Sequence, residues 1–231
     1  MARHLYIGVD PGVTGAFAVL EDRHPTPTGK AEFVAIHDLP TDPLKPNRID
    51  PVVFHDLINP YILPNPKLWP PATTLTLILE TSQGLKSQSA TSIFNYGVTT
   101  GILRATLLIL INQLPFPAHI IDVQPQTWKR ALSLLFDPTA PDPIFDPTLS
   151  PSTRRSAHAK AQSLQKALDL YPQSLGEITH RKDHNRAEAL LLAHYGLLLS
   201  TDQILGPTLH HIPGEKRLKP KTLKFDAGDP Q

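Results

Sequence analysis

The stretch LYIGVDPGVTGAFAVL, residues 5–20, constrains the fold more than any other part of the chain. Leu5–Val9 is an apolar run of strand length, and Ala16–Leu20 is a second. Pro11, Gly12 and Gly15 between them are turn residues. Two such runs joined by a Gly-rich turn make an antiparallel hairpin. The first run ends in a single carboxylate, Asp10. An acid at that place is either a ligand for a cation or the side chain of an Asx-type turn before Pro-Gly.

The rest of the chain alternates. A third strand, EFVAIHDLP, follows a Pro-rich loop. RIDPVVFHDLINPYIL reads as a helix with Asp50 as N-cap and Pro51 at the first helical position. TLTLILET is a buried strand ending in Glu80, and SQSATSIFNYGVTTGILRATLLILIN is a long helix. AHIIDV is another strand, followed by the short helix PQTWKRALSLL. After a Pro/Asp loop over 136–151, a helix from Ser152 carries Ala161, Leu164, Ala167, Leu168 and Leu170 at helical spacing. NRAEALLLAHYGLLL is the last helix. These elements in this order predict an α/β fold, one mixed five-stranded sheet with helices on its faces. A single domain is expected over 1–200, followed by a Pro- and Lys-rich tail over 201–231.

Composition narrows the partners. The 231 residues suffice for one full core. A formal charge of +1 means that any nucleic-acid contact comes from local basic clusters. The absence of cysteine excludes disulfides and thiolate metal sites. No signal peptide is read, because the first apolar run is short and contains Asp10. The longest apolar stretch, GILRATLLILIN, carries Arg104 and is too short to span a bilayer. The expectation is a cytoplasmic protein with no membrane partner.

Three acidic points stand out. Asp10 ends the first strand, Glu80 ends the fourth, and Asp183 and Glu188 open the last helix. Neighbouring strand ends lie about 5 Å apart, so these acids can share one cleft. Carboxylates without sulfur suit a hard cation, Mg²⁺ or Mn²⁺. Two such ions about 3.5–4 Å apart serve phosphodiester hydrolysis. Each acid taken alone also reads as a cap or a surface carboxylate.

The pieces IGVDPGVTGAFAVL, DLPT, ILETSQGLKSQSATSIFNYGVTTGIL, VQPQTWKRAL, KAQSLQKALDLYP and RKDHNRAEALLLAHYG stand in one order over about residues 5–196. In this the chain resembles RuvC-like Holliday junction resolvases of the RNase H-like superfamily, in the branch found in phages, prophages and chloroplasts. SxFNYGxxxG and DHxRAEALL carry the resemblance more specifically than DPGxTG. The last also resembles the phosphate loop of sugar kinases and actin-like ATPases, which need a second domain that this chain has no room for.

The resemblance implies roles. Asp10, Glu80 and Glu188 match metal-binding, catalytic acids. The family's fourth ligand lies three residues before the helix acid, where this chain has Asn185. The candidates are therefore Asp183 and His184. His184 lies about 40° from Glu188 on a helix at about 100° per residue. Asp183 is the harder ligand and is favoured, provided that the helix starts after it; its other reading is an N-cap. The remaining histidines lack zinc-site spacing. Lys129 and Lys160 match phosphate-side positions, and Lys86, in the QGLKSQ segment between the Glu80 strand and the long helix, reads as a phosphate contact or a solvated loop lysine. Arg154 and Arg155 extend a basic stretch with Lys160, and the tail lysines add a further phosphate contact. Trp128 reads as packing, Phe94 and Tyr96 as core, and Asn95 as a helix-packing amide.

The implied activity is Mg²⁺-dependent resolution of four-way DNA junctions in a bacterial nucleoid or phage-infected cell, with two ions per site and Mn²⁺ as a substitute. A symmetric homodimer is implied for paired nicks, with the long helix bearing Gly97 and Gly101 as its face. The alternatives are an RNase H-like nuclease acting on RNA and a junction-binding protein without catalysis.

Overall fold

A computed structural model of the chain describes residues 3–23, 31–62, 73–82, 89–135 and 150–201. The strands are β1 (Arg3–Asp10), β2 (Ala16–Asp22), β3 (Glu32–Asp38), β4 (Thr41–Asp42), β5 (Lys45–Ile49), β6 (Thr73–Glu80) and β7 (Ala118–Val123). The helices are α1 (Pro51–Ile62), α2 (Ala90–Ile111), α3 (Pro125–Ala131), α4 (Pro151–Leu170) and α5 (His184–Ser200). Short 3-10 turns occupy Pro172–Gly176 and Arg181–Asp183. The β4–β5 hairpin and both 3-10 turns go beyond the elements expected from sequence.

Five strands form one sheet in the order β3-β2-β1-β6-β7. The β1–β2 and β2–β3 pairs are antiparallel, whereas β1–β6 and β6–β7 are parallel. The mixed five-stranded sheet is therefore as expected. Its register sets the site. Val9 pairs with Leu79, so Asp10 and Glu80 end adjacent parallel strands at the same edge.

Alternation along the strands divides the core. Leu5, Ile7 and Val9 of β1 and Leu75, Leu77 and Leu79 of β6 pack with Phe54 and Ile58 of α1 and Leu103, Leu107 and Leu110 of α2. Tyr6 and Ile78 face the other layer, with Trp128 of α3, Ala167 of α4 and the apolar run of α5. Since side chains alternate with period two, Asp10 shares the face of Tyr6 and Gly8, and Glu80 that of Ile78. Both acids thus stand on the α5 side of the sheet.

Local chemistry explains the helix ends. Asp50 Oδ1 accepts from the backbone N–H of Val52 and Val53 at 2.9 and 3.1 Å, capping α1 as its sequence implies. Ser89 and Ser150 cap α2 and α4 through Ser92 and Thr153. Helix α2 runs 22 residues, long and apolar enough by composition to cross a membrane. The stretch judged too short from sequence is part of this longer helix, whose Leu103, Leu107 and Leu110 are buried under the sheet. Its Arg104 pairs with Asp122 of β7 at 3.1 Å.

Glycine sets how close α5 comes. A Cβ on Gly8 would lie 2.1 Å from the Ala189 carbonyl oxygen and 2.3 Å from the Ala193 nitrogen. The α5 backbone therefore rests directly on β1, two residues before Asp10. A Cβ on Gly15 would lie 2.1 Å from the Asp10 carbonyl oxygen, and the Gly15 N–H closes the turn on Gly12 at 3.0 Å.

Candidate active site

Asp10, Glu80 and Glu188 come from β1, β6 and the second turn of α5, and the fold brings them together. Asp10 and Glu80 are both buried. Burial is the first cause pushing the Asp10 carboxyl well above its ordinary value; the charges of Glu80 and then Glu188 push it further, and Lys129 opposes them. Among the described residues, none donates a hydrogen bond to Asp10. Glu80 is also raised, first by burial and then by Glu188, against the hydrogen bond from Trp128 and the charge of Lys129. Ionised carboxylates buried side by side need a counter-charge.

The protein supplies part of it. Lys129 Nζ lies 2.8 Å from Glu188 Oε1, and Ser163 Oγ donates to the same oxygen at 3.0 Å. Trp128 Nε1 donates to Glu80 Oε2 at 2.7 Å. The lysine ammonium also lies 5.0 Å from the Trp128 ring centroid, within cation–π range. Tyr96 braces the Glu80 backbone: its hydroxyl donates to the Glu80 carbonyl at 3.4 Å and accepts from Ser82 N–H at 3.1 Å. Burial and then Glu80 push the Tyr96 phenol up to about 12.

Trp128 is thus more than packing, and Ser163 is a residue the sequence did not single out. An indole N–H buried 48 positions from its carboxylate leaves no local pattern. Phe94, read as core, is 62% exposed; Tyr96 is half-buried.

The donor chemistry fits a hard cation: carboxylate oxygens without sulfur, one carboxylate, Asp10, having no hydrogen-bond donor among the described residues. The side chains do not converge as they stand. Among the described residues, no three His, Asp or Glu groups lie close enough to hold one ion. Glu80 is turned to Trp128, and Glu188 to Lys129 and Ser163.

The fold places Asp183 and His184 differently. α5 starts at His184, after Asp183, which belongs to the preceding 3-10 turn. Asp183 Oδ2 accepts from the backbone N–H of His180 at 2.7 Å and of Thr179 at 3.0 Å. Burial pushes its carboxyl up, but these two donors, Arg186 and His180 outweigh it and hold it below the usual range. Neither Asp183 nor His184 is among the charges acting on Asp10 or Glu80. The side chain thus makes no cap bond on α5 but closes the 3-10 turn as the acidic half of a capping box, and a bond of this type contributes about 1 kcal/mol. Asp183→Ala is therefore expected to lower Tm by about 2–4 °C, whereas Asp183→Asn, which keeps an acceptor oxygen, lowers it less and leaves divalent-cation affinity within about twofold. Calorimetry on both variants checks this. A cation affinity reduced about tenfold in Asp183→Asn would restore the residue to the ligand set.

Two contacts stitch the start of α5 to the sheet edge. Asn185 Nδ2 donates to the Thr14 carbonyl at 2.5 Å and to Thr14 Oγ1 at 3.0 Å. Arg186 grips Asp38 with both arms, at 2.6 and 2.7 Å, and reaches the Glu177 carbonyl at 2.9 Å. The turn after Asp10, the end of β3 and the helix bearing Glu188 are thereby tied together. Lys160, Arg154 and Arg155 lie on α4, with Lys160 and Arg155 exposed. Lys86 and the tail lysines lie outside the described residues.

No protein-family model matches the chain, and no curated protein sequence does. Solved structures do. Thermus thermophilus RuvC in complex with a Holliday junction substrate aligns over 85% of this chain and 94% of its own, at 13% identity and a TM-score of 0.51. A second T. thermophilus RuvC structure aligns over 86% and 96%, at 14% identity and a TM-score of 0.50. A fowlpox virus resolvase bound to junction DNA covers 87% of the chain at a TM-score of 0.34, too low to bear on the fold. Sheet order, flanking helices and near-complete alignment lead to one conclusion: the chain has the RNase H-like fold of RuvC.

Proposed function

We propose that the chain is a metal-dependent endonuclease that resolves four-way DNA junctions by paired phosphodiester hydrolysis, in the compartment that holds the DNA. One observation carries the reading: three carboxylates from three separate elements lie within electrostatic reach at one edge of a RuvC-like sheet, with a lysine paired to one of them. Asp10, Glu80 and Glu188 would hold two Mg²⁺ ions, with Mn²⁺ as a substitute. Bound there, the metal supplies Lewis acidity and a more acidic water. Trp128 keeps the Glu80 carboxylate in one orientation, and Ser163 does the same for Glu188. Lys129 stands where a phosphodiester anion next to Glu188 would meet its ammonium. The test is cleavage of end-labelled synthetic substrates, with and without Mg²⁺. A four-way junction cut in preference to duplex and RNA–DNA hybrid supports the reading; preferential cutting of the hybrid replaces it with an RNA nuclease, and junction binding without cutting replaces it with a binding protein.

Paired cuts need two sites related by symmetry. On α2, Ile93, Phe94 and Ile109 are 40%, 62% and 58% exposed. A Cβ on Gly97 or Gly101 would meet nothing within 4 Å. This apolar face with two small residues suits close packing against a second copy. Sedimentation at micromolar concentration is expected to show a dimer, and Phe94→Glu a monomer. A monomer for the parent chain, with and without junction, would contradict paired nicking by one complex.

A further inference from the structure

The β4–β5 hairpin has no part in the acid cluster, yet it rises from the same edge of the sheet. Ala16 pairs with Asp10 on one side and with Asp38 on the other. The end of β3 is therefore level with Asp10 and two strand spacings, ~10 Å, away. β4 begins three residues later, at Thr41. The base of the hairpin is fixed. The Leu39 N–H donates to the Gly15 carbonyl at 2.8 Å, and the Asp50 N–H to the Pro40 carbonyl at 3.0 Å. Ile49 is buried with Phe54 of α1 and Leu103 of α2, and β5 packs against α2. The hairpin thus leaves the edge on the α1–α2 side, whereas Asp10 and Glu80 stand on the α5 side.

The tip holds an apolar side chain out in water. Asp42 pairs with Lys45 across the turn, and Asp42 Oδ1 accepts from the Leu44 N–H at 2.8 Å. This Asx turn and the fixed φ of Pro43 and Pro46 stiffen the tip. Leu44 is 90% exposed, more than any other large apolar side chain among the described residues. Lys45 and Asn47 beside it are exposed, and Arg48 is half-buried. Neither cation forms an ion pair with a described residue. An apolar tip backed by two cations matches duplex DNA, where apolar groups meet base edges in a groove and cations meet the phosphates on its rims. A second copy of this chain would instead bring the same two cations against them. Width selects the groove. A two-stranded ribbon enters the major groove, ~12 Å wide, and is too broad for the minor groove, ~6 Å. Leu44 lies six positions after Asp38, ~20 Å of extended chain at most. The contact therefore falls within about one turn of duplex, ~34 Å, of the acids.

We infer that the β4–β5 hairpin enters the major groove of the DNA arm flanking the cut, with Leu44 against the base edges and Lys45 and Arg48 toward the phosphates on either side. The inference rests on the nuclease reading above and adds to it a DNA contact on the opposite layer of the sheet from Glu188, one that sets how an arm leaves the site.

The experiment uses full-length Asp10→Asn protein, so that binding is read without cutting. Anisotropy with a labelled four-way junction is recorded between 50 and 200 mM salt, alone and with either Leu44→Gln or Lys45→Gln/Arg48→Gln added. Leu44→Gln is expected to weaken binding about tenfold at every salt concentration, because the contact that it removes is apolar. Lys45→Gln/Arg48→Gln is expected to lower the slope of log K against log salt by about 2, at about 0.9 per phosphate contact. Dimethyl sulfate then reads the groove, since it methylates guanine N7 in the major groove and adenine N3 in the minor groove. Guanines of one arm, within a turn of the cut site found with the parent chain, are expected to be protected and to lose that protection in Leu44→Gln. Binding by Leu44→Gln within about twofold of the Asp10→Asn protein overturns the inference, and so does protection of adenine N3 alone. Weaker binding that follows the loss of a dimer in sedimentation, with guanine protection retained, also overturns it and gives the tip to a second copy. A parent chain that binds the junction and protects these guanines through Leu44 but cuts no DNA keeps the groove contact and removes the nuclease reading. Junction cutting with no effect of either hairpin variant removes the groove contact alone, and failure to bind DNA overturns both.

Discussion

Asp10→Asn is expected to abolish junction cleavage and leave junction binding intact. The carboxylate is buried and feels the charges of Glu80 and Glu188, and no described group donates to it. Its charge is therefore free for a cation, and no neighbour on its strand replaces it. Glu80→Gln is expected to behave alike, because Glu80 ends the adjacent parallel strand in register. A loss of at least about 10³-fold, about 4 kcal/mol of transition-state stabilisation, is expected in single-turnover rates. Binding survives because the basic residues on α4 are untouched.

The same substitution has an opposite effect on stability. The Asp10 carboxyl is raised in the folded state by burial and by two like charges. The folded state thus holds its proton more tightly than the unfolded chain does. Such a group costs stability as pH rises from its unfolded pKa, about 3.9, through its raised folded value. Asn at the position has no charge to bury. Without metal, Asp10→Asn should therefore melt higher than the parent at pH 8, by about 2–4 °C for each kcal/mol of cost relieved, and the gap should close on acidification. A divalent cation should raise the parent's Tm at pH 8 and the variant's less. Near-native cleavage by Asp10→Asn at saturating Mg²⁺ would remove Asp10 from the site, and an Asp10→Asn Tm below the parent's at pH 8 would remove the electrostatic account.

Gly8→Ala is expected to unseat α5. The added methyl would overlap the Ala189 carbonyl oxygen and the Ala193 nitrogen, both backbone atoms, at 2.1 and 2.3 Å. Neither can move without lifting the helix from the sheet. Overpacking costs typically 1–3 kcal/mol, and a clash against backbone belongs at the upper end, about 3 kcal/mol. Tm should fall by about 6–12 °C. Glu188 directly precedes Ala189, so the displacement reaches the acid cluster, and the folded fraction should also cleave more slowly. An unchanged Tm would mean that α5 does not lie on β1 as described.

The apolar runs LYIGV and TLTLIL, each of strand length, determined by themselves that Asp10 and Glu80 end buried strands, since a short apolar run closed by an acid needs no distant partner to be read. The Gly-rich turn determined the hairpin, and Asp50 with Pro51 determined the start of α1, because caps and turns depend on residues within three or four positions of each other. Helical spacing identified α4 and α5 for the same reason. Tertiary structure alone decided which strands are neighbours: the Val9–Leu79 pairing that sets the two acids side by side joins segments about seventy residues apart. It also decided what each polar group does. Trp128 meets Glu80, Lys129 and Ser163 meet Glu188, and Asn185 meets Thr14 only because α3, α4 and α5 pack on one face of the sheet. Asp183 shows the limit most clearly. Its place before a helix is equally compatible with a ligand and with a cap of that helix, whereas its carboxylate makes no cap bond on α5 and instead accepts from the N–H groups of Thr179 and His180 across the preceding 3-10 turn. A side-chain hydrogen bond across a fold has no period, so the sequence names the participants and packing assigns their partners.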